Sequence, residues 1–158
     1  MTKKGLFVFL GFAKQYTDRF SKERSRLTLA LNKFSDKYKK FKEKYQHDFQ
    51  EKRAELEAKH CLKEKDTQVF IEKEVVVQGQ IIFRKSFTKE AEAELKKEFD
   101  AFEEDYGSKD VDFTPFIVPV PDKIDITWVK EFTGFVFNPM TEEEEEAWYL
   151  AQQEEIKE

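Results

Sequence analysis

The feature that most constrains the fold is an aromatic seam in the first third of the chain. Its six residues follow one another at alternating steps of four and three: Leu27, Leu31, Phe34, Tyr38, Phe41 and Tyr45. This spacing places all six along one stripe of an α-helix. A helix with such a stripe has to bury it against another surface, so the seam predicts a packing partner inside or outside the chain.

The helix that carries the seam is predicted to occupy residues 18–65. Asp18 and Ser21 are suitable N-caps, and no glycine or proline interrupts residues 12–78. A continuous helix over residues 20–64 would be about 65 Å long, which is more than a compact domain of this size needs. A bend or break near Phe49, where the regular spacing ends, is therefore an open alternative.

The pattern changes from helix to β after residue 66. Two segments rich in β-branched residues flank Gln78 and Gly79, which predicts a β-hairpin over residues 68–87 with a two-residue turn. The implied register pairs Glu72 with Lys85, Val76 with Ile81, Phe70 with Phe87 and, unfavourably, Lys73 with Arg84.

Thr88 then caps a second helix, predicted over residues 88–106, with Gly107 as the residue after its end. Residues 107–158 begin with an extended section, because three prolines fall within residues 115–121. Short helices are predicted near 125–134 and after Thr141. The apolar residues 1–17 form a buried strand or short helix. Together these elements predict a single α+β domain over residues 1–158: a long antiparallel helical hairpin with a β-hairpin at its tip and an extended, proline-containing C-terminal section with short helices.

Composition excludes several broad classes. Charged residues make up 39% of the chain, but 17 Phe, 5 Tyr and 2 Trp argue against a disordered protein. Cys61 is the only cysteine, so no disulfide forms within the chain and a reducing compartment is expected. The N-terminal apolar run is too short to cross a bilayer and lacks a signal-peptide cleavage site. We therefore expect a cytoplasmic acidic protein without a membrane partner.

The charge is strongly polarised along the chain. Residues 1–65 hold 18 basic against 9 acidic side chains, whereas residues 66–158 hold 10 against 24. The two halves are expected to face each other in the fold or in an oligomer. A further alternative is that the lysines between Phe34, Tyr38, Phe41 and Tyr45 bind nucleic-acid phosphates while the rings stack on bases.

No motif in the sequence predicts an enzyme, a cofactor or a metal site. His47, His60 and Cys61 are the only candidate ligands or nucleophiles of their type, and they lack the spacing of a zinc site or of a Cys-His pair. The five glycines form no phosphate-binding loop. The acidic runs are most simply solvated helix surface.

The order of these parts resembles small bacteriophage proteins of unknown function, which combine a basic first helix, a β-hairpin-like insert, an acidic second helix and a short apolar C-terminal section. The residues that carry the likeness are Ser21-Lys22-Glu23-Arg24-Ser25-Arg26, the 68–87 insert and residues 98–113. In outline the helix pair with a β-tip is also similar to prefoldin subunits. The phage resemblance implies virion assembly, host takeover or inhibition of a host defence.

The sequence therefore predicts a non-enzymatic interaction or assembly protein that associates through its helical hairpin, as an oligomer or with a protein partner. The candidate interaction residues on the seam are Phe34, Tyr38, Phe41 and Tyr45. The alternative is a phage inhibitor of a host protein that acts through its acidic C-terminal half. The candidates there are Glu142, Glu143, Glu144, Glu145, Glu146 and Trp148.

Overall fold

The computed structural model describes residues 1–66 and 68–157, without the side chains of residues 152 and 154–157. In chain order the elements are α1 (Lys3–Arg19), α2 (Arg26–Lys37), α3 (Lys39–His60), β1 (Glu72–Val77), β2 (Gln80–Lys85), α4 (Lys89–Gly107), α5 (Ile126–Phe132) and α6 (Glu142–Lys157). The predicted α+β fold class, with a β-hairpin inserted between two arms of a helical hairpin, is confirmed.

Internal packing divides the chain into two units. The first unit contains Met1–Phe7 and Lys39–Val111, and the second contains Val8–Tyr38 and Asp112–Glu158. Each unit therefore joins an N-terminal segment to one that is distant in sequence. The prediction of a single domain over residues 1–158 stays a prediction.

The region predicted as one helix over residues 18–65 is divided in the structure. Helix α1 continues to Arg19, and α2 begins only after Ser25. The Ser25 hydroxyl accepts a hydrogen bond from the Thr28 amide at 3.2 Å, and the Thr28 hydroxyl accepts one from the Ser25 amide at 3.0 Å. This reciprocal capping box fixes the start of α2 at a later position than Asp18 or Ser21.

A second interruption lies at Tyr38, inside the seam. Tyr38 caps the C-terminus of α2 with φ −104° and ψ 15°, and its amide donates to the Phe34 carbonyl. Helix α3 starts at the next residue, and Phe49 lies well inside it. The break is thus at Tyr38 rather than near Phe49, and the six seam residues are divided between α2 and α3.

The helical hairpin itself consists of α3 and α4 in the first unit. The Tyr106 hydroxyl donates to the Asp48 carboxylate, while Lys59 reaches Glu98 at 2.9 Å near the other end. Residue numbers rise along α3 as they fall along α4, so the two helices are antiparallel. Thr88 caps α4 as predicted, since its hydroxyl accepts from the Ala91 amide.

Gly107 differs from its predicted position beyond the helix, because it is the last residue of α4 and is buried. A Cβ atom at Gly107 would lie only 3.1 Å from the Cβ of Lys4 in α1. The glycine is therefore needed for close packing rather than for a left-handed C-cap.

The β-hairpin between the two helices has the predicted strand register. Glu72 lies opposite Lys85, Val76 opposite Ile81 and Lys73 opposite Arg84. Gln78 and Gly79 both have positive φ, at 51° and 77°, which is the geometry of a two-residue type I′ turn. The predicted Phe70–Phe87 pair is not formed, because Phe70 pairs with Lys63 instead.

Backbone hydrogen bonds close the base of the hairpin. The Leu62 amide donates to Ser86, the Ser86 amide to Ile71 and the Ile71 amide to Leu62, each at 2.8 Å. This ring of three bonds attaches both strands to the segment that leaves α3.

The second unit has its own aromatic core. Phe9 and Phe132 are almost fully buried with ring centroids 5.9 Å apart. The proline-rich section is extended as predicted and donates backbone hydrogen bonds from Val118 to Val136 and from Phe116 to Phe135. The short helix predicted near 125–134 is present as α5, capped by Asp125 and followed by a turn in which Gly134 has φ 87°.

Candidate interaction surface

The first two candidate residues of the seam, Phe34 and Tyr38, belong to the core of the second unit. Phe34 is only 4% exposed, and its ring lies 5.6 Å from Phe9 and 5.4 Å from Phe113. Tyr38 is half-buried, with its ring 5.7 Å from Phe113. Residues from α1 and from the section after α4 therefore cover this part of the seam.

The other two, Phe41 and Tyr45, belong to the first unit. Tyr45 is buried, stacks on Phe7 at 4.4 Å and lies 5.4 Å from Tyr106. Burial, and to a smaller extent the Glu103 carboxylate, raises the pKa of the Tyr45 phenol. Phe41 is half-buried, 5.9 Å from Tyr45. Phe7 of α1 thus covers the start of α3, as one of the predicted covers of the seam.

The burial of Phe34 and Tyr45 also bears on nucleic-acid binding, because neither ring is free to stack on a base. The lysines on the flanks remain: Lys33, Lys37, Lys39, Lys40 and Lys44 are exposed. Binding to the nucleic-acid backbone through these lysines stays a prediction.

The acidic candidates lie on α6, in the second unit. Four of the five glutamates at residues 142–146 are exposed, and the Thr141 hydroxyl accepts from the Glu144 amide at the helix start. Their negative charge is favourable at the positive end of the helix dipole. Among the described residues, no lysine or arginine lies within 4 Å of these carboxylates. Trp148 is half-buried, and its ring lies 5.6 Å from Tyr149.

The sequence reasoning missed the most exposed large apolar side chains of the first unit. Val76, Ile81 and Phe83 on the β-hairpin are 70%, 64% and 64% exposed. Alternation along paired strands places all three on one side of the hairpin, which we call the tip face. A signal for them was present, since three valines in β1 and Ile81-Ile82-Phe83 in β2 make both faces of a two-stranded sheet apolar. One layer of strands cannot bury two apolar faces by itself.

A cleft of about 650 Å³ lies beside the tip face, between the β-hairpin and the helices α3 and α4. Its charged lining consists of four cations and three carboxylates: Arg53, Lys73, Arg84, Lys85, Glu57, Glu72 and Glu92. Phe83 also lines the cleft, whereas Lys73 and Arg84 lie on the opposite face of the hairpin from the tip face. The predicted unfavourable pairing of Lys73 with Arg84 is real, and in the described part of the chain no carboxylate comes within 4 Å of either.

The perturbed ionisable groups of the first unit lie between α3 and α4. Burial and the hydrogen bond to Asp48 raise the pKa of Tyr106 to about 12. Hydrogen bonds from His60 and Lys59 lower the pKa of Glu98. Each of these two groups on α4 bonds to a residue of α3, so burial together with ion-pair and hydrogen-bond contacts between the two helices accounts for both pKa shifts.

Within residues 1–66 and 68–157, no group of three or more His, Cys, Asp or Glu side chains is placed to hold a metal ion. Cys61 is buried and its thiol is close to the Leu62 carbonyl, at 3.2 Å.

Comparison with known proteins gave no match to a protein-family model, a curated protein or a solved structure. The resemblance to small phage proteins and to prefoldin subunits therefore stays a prediction. None of the helices in the described residues is both long and apolar enough to cross a membrane.

Proposed function

We propose that this chain is a non-enzymatic interaction protein that self-associates, as part of an assembly, through the β-tip of its helical hairpin. The observation that carries the proposal is the tip face, where Val76, Ile81 and Phe83 are each about two thirds exposed. Contiguous apolar surface of this kind is typical of protein–protein contact sites.

The seam is a weaker candidate for contact with a second molecule than its sequence pattern indicated. Phe34 and Tyr45 are buried against other residues of the same chain, so they have no need of a second molecule. The proposal keeps the helical hairpin as the associating part and moves the contact from its arms to its tip.

The free energy gained by burying the tip face is too small to hold two molecules together by itself. Burying a fully exposed Val, Ile or Phe side chain stabilises a complex by about 1.5–3 kcal/mol. With about two thirds of each side chain available, the three together contribute about 3–6 kcal/mol. Loss of translational and rotational freedom costs about 4–15 kcal/mol, so the tip face needs additional contacts to give a stable complex.

A double substitution on the tip face tests the proposal. Ile81→Thr with Phe83→Thr keeps residues that favour strands and removes apolar area. We expect the wild-type chain to show a concentration-dependent mass by light scattering between micromolar and millimolar concentration, and the double variant to lose it.

A matched control is Leu29→Gln on α2, because Leu29 is 62% exposed but lies in the second unit. This variant should associate like the wild type. A wild-type protein that is monomeric throughout the range, and that retains no partner in a pull-down, would contradict the proposed function.

The second candidate function is inhibition of a host protein through the acidic C-terminal half. The exposed glutamates at residues 142–146 favour it. It predicts a one-to-one complex with another protein that is weakened by salt and by neutralising these glutamates. A complex that is indifferent to both changes would count against this function.

A further inference from the structure

The outer edge of strand β2 is unpaired. The sheet has two strands, so within the described residues β2 has β1 on one side and no strand on the other. The Ser86 amide, just after β2, donates to the Ile71 carbonyl on the β1 side. Successive amides of a strand point alternately to its two sides, so the amides of Ile81 and Phe83 point away from β1. Such an edge offers backbone donors and acceptors to another strand.

The half of this edge near the turn lacks the features that keep sheet edges from pairing, which are prolines, bulges and charges. The pairing of β1 with β2 runs through all six pairs without a bulge, and β2 contains no proline. Ile81 and Phe83 are apolar and each 64% exposed, whereas Arg84 and Lys85 lie at the far end of the strand. Ile81 is also about 17 Å along the strand from Ser86, where the hairpin is attached to the end of α3.

The outer edge of β1 is less suited to pairing. By the same alternation its outward-pointing backbone groups belong to Glu72, Glu74 and Val76. Two copies of β1 aligned antiparallel about Glu74 or Lys73 would set like charges opposite each other, which is destabilising. An alignment about Val75 avoids this but places the Glu74 carboxylate opposite Val76 of the second copy. The apolar edge of β2 is therefore the better candidate.

Strand β2 is complementary to itself when two copies run antiparallel about a twofold axis at Ile82. In this register Ile81 lies opposite Phe83 of the second copy, and Phe83 lies opposite its Ile81. On the other face of the sheet Gln80 lies opposite Arg84, and Ile82 lies opposite its own copy. No pair has like charges, and the opposed apolar side chains have Cβ atoms about 5 Å apart.

The same register satisfies the outward backbone groups. Ile81 and Phe83 face each other twice across the twofold axis, and each such pair exchanges both N–H···O bonds. About four backbone hydrogen bonds therefore form at the centre of the contact. A shift by one residue would set these outward groups opposite groups that already bond to β1, and it would turn the two tip faces to opposite sides.

We propose that β2 of one copy pairs edge to edge with β2 of a second copy, antiparallel about Ile82, to form a four-stranded sheet in the order β1-β2-β2-β1. This proposal rests on the proposed function, self-association through the tip, and names the strand edge that makes the contact. The backbone bonds are the additional contacts that the apolar tip face needs. The contact is the same on both copies, so it closes as a twofold dimer. The two tip faces join on one side of the sheet, which stays open to further subunits of an assembly.

A proline on the edge tests the backbone bonds. Ile81→Pro removes an outward amide, and proline is tolerated at such a position of an edge strand. Ile81→Val is the side-chain control, because valine keeps the amide and is close to proline in size. Val76→Pro is the backbone control, because Val76 lies directly opposite Ile81 and points its amide outward from β1.

We expect Ile81→Pro to weaken self-association about tenfold or more in sedimentation experiments, and both controls to stay within about threefold of the wild type. Hydrogen exchange of the Ile82 and Arg84 amides, which point to β1, establishes that the hairpin of each variant is paired.

A cysteine at the twofold axis tests the register without a proline. Opposed residues at this position have Cα atoms about 4.5 Å apart, which is within the range that a disulfide spans. In a Cys61→Ala background, Ile82→Cys should give a covalent dimer under mild oxidation, seen by non-reducing electrophoresis. Gln80→Cys is the matched control on the same face, because the two Gln80 residues would lie about 13 Å apart and stay unlinked.

The two proposals fail in different ways. A wild-type chain that stays monomeric contradicts the proposed function and the edge pairing together. Association that is lost with the tip-face substitutions, but is equally affected by Ile81→Pro and Ile81→Val and gives no Ile82→Cys dimer, contradicts the edge pairing alone. A loss of association with Val76→Pro instead of Ile81→Pro would assign the contact to β1 and also overturn it.

Discussion

Replacing Phe34 by alanine tests whether this residue stabilises the core of the second unit or forms a contact with another molecule. Its side chain is 4% exposed and contacts Phe9 at 5.6 Å, Phe113 at 5.4 Å and Tyr38 at 6.2 Å between ring centroids. Replacing a buried phenylalanine by alanine destabilises a protein by about 3–5 kcal/mol. Each lost aromatic pair contributes about 0.5–1.5 kcal/mol of such an effect. We therefore expect Phe34→Ala to lower the free energy of unfolding by about 4 kcal/mol.

Urea unfolding followed by tryptophan fluorescence measures this loss. Trp128 reports on the same unit, since its ring lies 5.3 Å from Tyr16 and 5.7 Å from Phe132, and a Trp148→Phe background removes the second fluorophore. With a denaturant slope of about 2 kcal/mol/M, the midpoint should fall by about 2 M. Should the unit be too unstable to tolerate alanine, Phe34→Leu is expected to destabilise it less than Phe34→Ala, because leucine keeps more of the buried apolar volume.

The control for Phe34 is on the same helix. Leu29 is 62% exposed on α2, so Leu29→Ala should change the free energy of unfolding by less than about 0.5 kcal/mol. If Phe34→Ala left the midpoint within about 0.3 M of the wild type and instead reduced self-association, the seam would be an interface and the packing argument would be refuted.

Three further outcomes follow from the first unit. The raised pKa of Tyr106, about 12, means that its neutral phenol stabilises the fold below pH 10 and that this contribution is lost as the pH rises toward 12. Tyr106→Phe should reduce this pH dependence of the melting temperature, with phenol ionisation followed by absorbance at 295 nm; the part that remains belongs to Tyr45, whose pKa is also raised. Because the pKa of Glu98 is lowered in the fold, its carboxylate stabilises the fold above about pH 4.5, and this stabilisation is lost as the pH falls below that value. Glu98→Gln should therefore make the melting temperature depend less on pH in this acidic range. Gly79→Ala should destabilise the hairpin by about 1 kcal/mol, since φ is 77° there, and hydrogen exchange of the strand amides would detect it; unchanged protection would contradict the turn assignment.

Local signals predicted the elements that local chemistry determines. The Gln78-Gly79 turn predicted the register of β1 and β2. The structure has this register in all six pairs, from Glu72 opposite Lys85 to Val77 opposite Gln80. Thr88 located the start of α4 for a similar reason, because its hydroxyl binds an amide three residues away. In both places the decisive contacts lie within a few residues in sequence.

The division of the seam between two helices depends on contacts with residues that are distant in the sequence. The apolar residues from Leu27 to Tyr45 keep a regular helical spacing, yet the helix ends at Tyr38 without a glycine or a proline. Phe34 packs with Phe113, and Tyr45 packs with Phe7, so partners distant in sequence outweigh the local preference for one helix. The only local sign was Ser25 with Thr28, a capping box in which threonine replaces the usual glutamate or glutamine.

A two-stranded hairpin is marginally stable on its own, which raises the question of how this one can present a binding surface. The ring of backbone bonds among Leu62, Ile71 and Ser86 anchors both strands to the end of α3. Because the strands are held before any partner arrives, little conformational entropy remains to be lost on binding. The apolar tip face is thus presented in one arrangement, and the contacts that it still needs for a stable complex have to come from outside the tip face.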